Sequence, residues 1–253
     1  MLKKIVVSAF IWIHISFLTV VLFFIMLFVS GLTFFFDKKR KFSHSQCFWW
    51  SDTVLRTNPF WKVDVKGLEQ IDKSRTYVIV ANHQSIADII ILYQTHMQFK
   101  WIARDSLFRI PFLGWCMHLA KHIKLVRGSS SSILHVYRNA GTWLKDEMSI
   151  LFFPEGIRSK TGELAEFHSG AFKLAIKKGV AILPIAINGT ANAIPKGKLI
   201  LPPDASLSMT VLPAIETEGL HPRDCTCLMD TTRTMIEKAL QHKTPRCKKG
   251  VIH

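Results

Sequence analysis

Residues 5–36, IVVSAFIWIHISFLTVVLFFIMLFVSGLTFFF, contain no Asp, Glu, Lys or Arg. About eighteen such residues are enough to read as a membrane helix, and soluble helices rarely sustain a run of this length. A cleaved signal peptide has a shorter apolar region and a small-residue cleavage site, so this segment is expected to stay in the protein. Lys3-Lys4 precede it and Lys38-Lys39-Arg40-Lys41 follow it. As one helix it would run about 48 Å, against a hydrocarbon core of about 30 Å. A straight span would also put one basic cluster on the wrong side of the bilayer. The expectation is therefore a helical hairpin with both ends cytoplasmic, broken at Ser30-Gly31 or near His14 and Ser16. Trp49, Trp50, Phe60 and Trp61 are residue types that settle at a membrane interface. Together these features predict a globular part held on the cytoplasmic face of the cytoplasmic membrane.

The remaining composition narrows the partners. A formal charge of +15, from 33 Lys plus Arg against 18 Asp plus Glu, calls for an anionic partner: nucleic acid, an acidic membrane surface or a phosphorylated substrate. The basic residues are scattered and no nucleic-acid motif appears, which argues for no nucleic acid. A hydrophobic content of 49% excludes a disordered basic tail protein. Cysteines 47, 116, 225, 227 and 247 include no C-x-x-C pair, and Cys225-Thr-Cys227 has no second pair at zinc spacing. They are expected to be reduced thiols, with no metal.

From about residue 62 short apolar runs alternate with helical stretches. Tyr77–Ala81, Phe99–Ala103, Ile150–Phe153, Val180–Ile187 and Ser208–Leu212 read as strands. Ile86–Tyr93, Ser131–Lys145, Gly170–Lys178 and Thr226–Gln241 read as helices. This alternation predicts an α/β fold, a mixed and largely buried sheet flanked by helices. The expected organisation is a membrane-anchoring segment over 1–41, one α/β domain over 42–243 and a basic tail over 244–253.

Two stretches at strand ends hold the candidate chemistry. In Asn82-His83-Gln84-Ser85-Ile86-Ala87-Asp88, Ser85-x-x-Asp88 matches a capping box with Ser85 as N-cap. His83 would then sit in the loop before the helix, free to fold back toward Asp88 as a base oriented by an acid. A capped helix beside an incidental histidine fits the same residues. In Phe152-Phe153-Pro154-Glu155-Gly156-Ile157-Arg158-Ser159, charge begins where burial ends, the place where open α/β sheets collect ligands. Arg158 can fork onto phosphate oxygens, and Gly156 lets an anion approach the backbone. Arg104 and Arg127 each follow a predicted strand. Phe167-x-x-Gly170 and Leu183-Pro184-Ile185 complete the set, the proline suggesting an edge or a bulge.

The ordered series NHQSIAD, LVR, FPEGIRS and LPI, with RDSLFRIPFLGW after the first, resembles the four motifs of the 1-acylglycerol-3-phosphate O-acyltransferase (lysophosphatidate acyltransferase) family. The likeness runs from about Tyr77 to Ile215. It implies an acyltransferase that moves a fatty acyl group from acyl-CoA or an acyl-carrier protein to the sn-2 hydroxyl of 1-acylglycerol-3-phosphate, giving phosphatidic acid. It implies His83 as catalytic base with Asp88 as its partner, the His-x4-Asp motif. It further implies substrate-binding roles for Glu155, Gly156 and Arg158, with Arg127 and Arg104 adding charge, and for Pro184 on the acyl side. No cofactor or metal is expected; the implied partners are the lipid substrate, the acyl carrier and the membrane surface. Four positions depart from the family pattern: Ile157 stands where Thr is frequent, Lys121 where Gly is common, Val126 where Asp is common, and Arg104 where Lys is frequent. These cluster on the acceptor side, so another lysolipid, such as a lyso-ornithine lipid or another lysophospholipid, stays open as the acceptor.

Overall fold

The computed structural model describes residues 1–159 and 163–241; the expected tail over 244–253 lies outside them. The chain runs α1 (Leu2–Leu32), α2 (Lys41–Thr57), β1 (Trp61–Lys66), β2 (Val78–Ala81), α3 (Ala87–Leu92), β3 (Phe99–Arg104), α4 (Leu113–Leu119) and β4 (Ile123–Leu125). It continues through α5 (Ser130–Lys145), β5 (Ser149–Phe152), α6 (Gly170–Lys178), β6 (Ile182–Asn188), α7 (Thr190–Ala193), β7 (Ala205–Val211) and α8 (Cys225–Gln241).

The strands form one sheet in the order β1-β7-β6-β2-β5-β3-β4. Strands β6, β2, β5, β3 and β4 are mutually parallel, β7 is antiparallel to β6, and β1 pairs parallel with β7. The sheet is mixed, as expected. Because successive side chains leave opposite faces of a strand, each central strand feeds two cores. Ile79, Leu151, Leu183, Ile185 and Ile187 pack with residues of α1 to α4. Val78, Val80, Ile150, Ile182 and Ala186 pack with α5, α6 and α8. Each Val, Leu or Ile among them contributes about 1.5–3 kcal/mol on burial, so the sheet is held from both faces. The apolar runs YVIVA and ILPIAI carry no alternation because neither face of these strands meets water.

The N-terminal segment departs from the expected break. Helix α1 is continuous through His14, Ser16, Ser30 and Gly31. Its hydroxyl residues do not interrupt it: Ser8 and Thr19 donate to the carbonyls four residues earlier, and Ser30 meets Ser43 of α2 at 2.7 Å. The reversal falls at 33–40, where the buried Asp37 carboxylate accepts the N–H groups of Lys41 and Phe42 at 2.8 and 3.0 Å and so starts α2. Helix α2 returns along α1, with His14 bonded to Thr57 at 2.7 Å. By length and composition α1 could cross a bilayer. One side of it nevertheless lies on the domain over most of its length: Val7, Ile11, Leu18, Leu22 and Met26 are buried. Trp12 donates to Leu199 O, Leu201 N donates to Ser8, and Phe23 packs on Phe112 and Trp115. Its other side leaves Ile13, Phe17, Phe24 and Phe28 exposed, and Phe34 to Phe36 extend that apolar surface through the turn.

Pro184 lies in β6, an interior strand, so it marks a bulge rather than an edge. Ile185 pairs with Val211 but Ile182 pairs with Ile215, so the partner chain holds one extra residue opposite the proline. The missing N–H of Pro184 faces that bulge, while its carbonyl accepts from Leu212 N at 3.0 Å. Among the described cysteines, Cys47, Cys116, Cys225 and Cys227 are free thiols.

Candidate active site

Five parallel strands end at one edge of the sheet, and the predicted residues follow them: His83 after β2, Arg104 at the end of β3, Arg127 after β4, and Phe153 to Arg158 after β5. Asn82 fixes the exit from β2. Its amide donates to Ile187 O and accepts from Ile187 N, both at 2.8 Å, tying the loop to β6.

Asp88, in the first turn of α3, is 0% exposed. Its Oδ2 accepts His83 Nδ1 at 2.7 Å, Gln84 N at 2.7 Å and Ser85 N at 2.9 Å, and its Oδ1 accepts the Thr190 hydroxyl. Four donors offset the cost of burying the carboxylate. Since Asp88 acts as acceptor, the His83 proton sits on Nδ1, leaving the Nε2 lone pair free. The imidazole stacks on Phe153, ring centres 4.1 Å apart, and its side chain stays 21% exposed. The fold-back of His83 onto Asp88 is therefore present. The capping box is only half formed: Asp88 reaches back to Ser85 N, but Ser85 Oγ bonds Ala87 N and Ile194 O. Thr190, which sequence reasoning missed, lies 102 residues from Asp88, and no local pattern signals it.

A cavity of about 610 Å³ opens beside His83. Arg104, Arg127, Gly156 and Arg158 line it, joined by His168 and Lys196, which sequence reasoning did not select. The signal for His168 was its place inside Phe167-x-x-Gly170; Lys196 had none beyond its charge. Arg127 Nη2 donates to Gly156 O at 2.7 Å, tying β4's exit to the loop after β5. Gly156 has φ +66°, and a Cβ there would come within 3.3 Å of the His168 ring, so glycine keeps this wall open. Ile86, Ile89, Trp101, Leu125, Val136 and Phe152, all buried or half-buried, give the cavity apolar walls. Among the described residues no carboxylate lines the cavity.

Two residues expected to contact substrate do not line this cavity. Glu155 is buried and absent from the cavity lining. Its Oε1 accepts His83 N at 2.7 Å and its Oε2 accepts Ala165 N at 3.0 Å, so both oxygens face the backbone. Burial pushes its carboxyl above the ordinary value, against the opposing pull of those two N–H donors. Glu155 is a positioning residue that pins the loop of His83 to the chain following β5. Pro184 is likewise absent from the cavity lining, being an interior position of β6. Of the departures, Lys121 adopts the left-handed backbone, φ +54°, where the family pattern has glycine, and Ile157 is exposed at the cavity.

A histidine hydrogen-bonded to a buried carboxylate, at the strand ends of an α/β sheet and beside a cavity lined by cationic and apolar side chains, has the geometry that acyl transfer to a hydroxyl group calls for. A family model described as acyltransferase matches residues 62–188, and the chain belongs to that family. Within it, the chain is 38% identical over 179 residues to a chloroplastic 1-acyl-sn-glycerol-3-phosphate acyltransferase of Arabidopsis thaliana, covering 69% of this chain and 50% of that protein. It is 31% identical over 181 residues to the 1-acyl-sn-glycerol-3-phosphate acyltransferase of Borreliella burgdorferi, covering 71% of this chain and 72% of that protein. The matches to the plant and algal relatives span about half of those proteins' length. The fold matches the crystal structure of the 1-acyl-sn-glycerophosphate (LPA) acyltransferase PlsC from Thermotoga maritima, with a TM-score of 0.79 at 24% identity, over 97% of this chain and 99% of that one.

Proposed function

We propose that this protein acylates the free sn-2 hydroxyl of 1-acylglycerol-3-phosphate, using acyl-CoA or an acyl-carrier protein as donor, to give phosphatidic acid. The observation that carries the reading is the His83–Asp88 pair beside a cavity lined by four cations and by apolar side chains. The named relatives support it. His83 Nε2 takes the proton of the acceptor hydroxyl as that oxygen attacks the thioester carbonyl. Asp88 stabilises the imidazolium that forms. The tetrahedral intermediate collapses by breaking the C–S bond, and His83 returns the proton to the leaving thiolate. No acyl-enzyme forms, and no metal or other cofactor enters the step. Arg158, Arg127 and Arg104 hold the acceptor phosphate, the strong bidentate partner of a guanidinium. Among the described residues Arg158 has no ion-pair partner of its own.

The exposed apolar side of α1 and the turn at Phe34 to Phe36 would lie in the acyl region of one leaflet, on the cytoplasmic face, so that a lipid acceptor reaches the cavity without leaving the membrane. The test is product analysis with purified protein in detergent, offering acyl-CoA with 1-acylglycerol-3-phosphate, a headgroup-bearing lysophospholipid or a lyso-ornithine lipid. Phosphatidic acid formation with the highest kcat/KM for the first acceptor is expected. Preference for either of the others overturns the acceptor, and thiol release that ignores added lysolipid overturns the reaction.

A further inference from the structure

A second cavity, about 810 Å³, lies between α5 and α6. Five cations line it, Arg138 and Lys145 from α5 and Lys173, Lys177 and Lys178 from α6. Among the described residues no Asp or Glu lines it, and none of the ion pairs involves these five. Like charges gathered in a concavity repel, so this arrangement lowers stability unless an anion fills it. The helices are built to approach there. A Cβ on Gly141 would come within 3.1 Å of Lys178 Cε, and one on Gly170 would overlap the Tyr137 hydroxyl. No side chain caps the N-terminus of α6, whose first residue, Gly170, lines the groove.

Its location is informative in two ways. The groove adjoins the active-site cavity: Tyr137, His168 and Gly170 line both. It also belongs to the opposite side of the sheet from α1, α2 and α4, since α5 and α6 pack in the other core. A membrane headgroup therefore has no direct approach to it, whereas a water-soluble substrate does. Its concave shape suits a small polyanion better than the surface of a folded carrier protein.

We infer that the α5–α6 groove binds the phosphorylated nucleotide end of coenzyme A. The 3′-phosphate and diphosphate meet the five cations, and the pantetheine arm passes Tyr137 to bring the thioester to His83. This rests on the thioester-dependent reading above. It assigns the two substrates to opposite sides of the sheet, lipid from the membrane side and donor from water.

The test uses the full-length enzyme in detergent and the exposed-site double variant Lys173→Gln/Lys177→Gln. The KM for acyl-CoA should rise roughly fivefold for each charge lost, about 25-fold in all. The kcat/KM advantage of acyl-CoA over acyl-phosphopantetheine, which lacks the nucleotide, should collapse by the same factor. Adenosine 3′,5′-bisphosphate should compete with acyl-CoA in the unaltered enzyme, and calorimetric titration with coenzyme A alone should lose affinity in the variant. An unchanged KM with unchanged coenzyme A affinity overturns the inference. So does a loss confined to acyl-carrier protein, or one confined to binding of anionic phosphatidylglycerol vesicles. If no thioester supports transfer to a lysolipid, the functional reading fails, while the coenzyme A titration still reads the groove by itself.

Discussion

Replacing Asp88 by Asn tests the proposed chemistry most sharply, because the structure dictates which way the amide must sit. Oδ2 of Asp88 receives two backbone N–H groups as well as His83 Nδ1, whereas Oδ1 receives only the Thr190 hydroxyl, which can rotate to accept. An NH2 group at Oδ2 would face Gln84 N–H and Ser85 N–H, so the Asn oxygen is forced there and the NH2 turns to Thr190. His83 keeps its orientation and its Nδ1 proton. What disappears is the negative charge opposite the imidazolium of the transition state. With Nδ1 2.7 Å from Oδ2, the two delocalised charges are centred roughly 4 Å apart, worth about 4 kcal/mol at an effective dielectric near 20. A retained neutral hydrogen bond returns about 1 kcal/mol. The net, about 3 kcal/mol, is roughly a 150-fold loss in kcat. Single-turnover thiol release measures the rate, and nitrogen-15 NMR of labelled His83 reads the tautomer. A loss near 10⁴-fold with the proton on Nε2 is what a lost tautomer gives, and it would refute the pinned-amide reasoning. Activity close to that of the unaltered enzyme would show that no charge develops on His83.

His83→Ala should cost about 10²–10⁴-fold in kcat with little change in acceptor affinity, and adding Asp88→Asn should cost scarcely more, since the two act as one unit; multiplying losses in steady-state rates would separate them. Arg158→Ala should raise the KM for a phosphate-bearing lysolipid roughly tenfold or more, with Arg158→Lys restoring only part because an ammonium lacks the bidentate fork; equal loss with a phosphate-free acceptor would remove Arg158 from the phosphate site. Burial holds His44 and His122 well below the usual imidazole value; the nearby Lys100 cation adds to both shifts and His44 adds to that of His122, while the Gln98 side chain opposes the shift of His44. Unfolded imidazoles take up protons near pH 6.5 and these two do not, so stability should fall as pH drops below about 6.5, by up to about 2.7 kcal/mol per pH unit. His44→Phe, placed among Phe48, Tyr93 and Phe99, should flatten that fall in thermal unfolding between pH 7 and 5.5; an unchanged slope would show that His44 already titrates normally.

The sequence was most readable where structure is local. Strands β2, β5 and β6 appear as apolar runs because both faces are buried, and α6 was bounded correctly, Gly170–Lys178, by its amphipathic spacing. His83 and Asp88 are five residues apart, so their meeting could be argued from one turn. What escaped notice depends on distant pairings. Strand β1 alternates charged and apolar residues and becomes a strand by pairing with β7, some 144 positions later. Thr190, His168 and Lys196 reach the site only through the fold. The reversal was expected at Ser30-Gly31 or near His14 and Ser16, yet it follows α1, where the capping carboxylate of Asp37 starts the return helix. Glu155 looked like a ligand-facing charge because it stands at a strand end; its two backbone partners, Ala165 and His83, turn it inward.

With its outer face in the bilayer as proposed, helix α1 answers to two environments at once, and this shapes how its sequence can drift. At Ile11 and Met26, both 0% exposed, a substitution must fill a fixed shape in a packed interior. At Phe17 and Phe28, exposed by 64% and 67%, almost any apolar residue would serve. Related chains should therefore hold the first set nearly constant in volume and let the second wander among Leu, Ile, Val and Phe. Such a helix cannot be exchanged for an unrelated leader of equal greasiness, and a lineage that lost it would have to rebuild part of its interior.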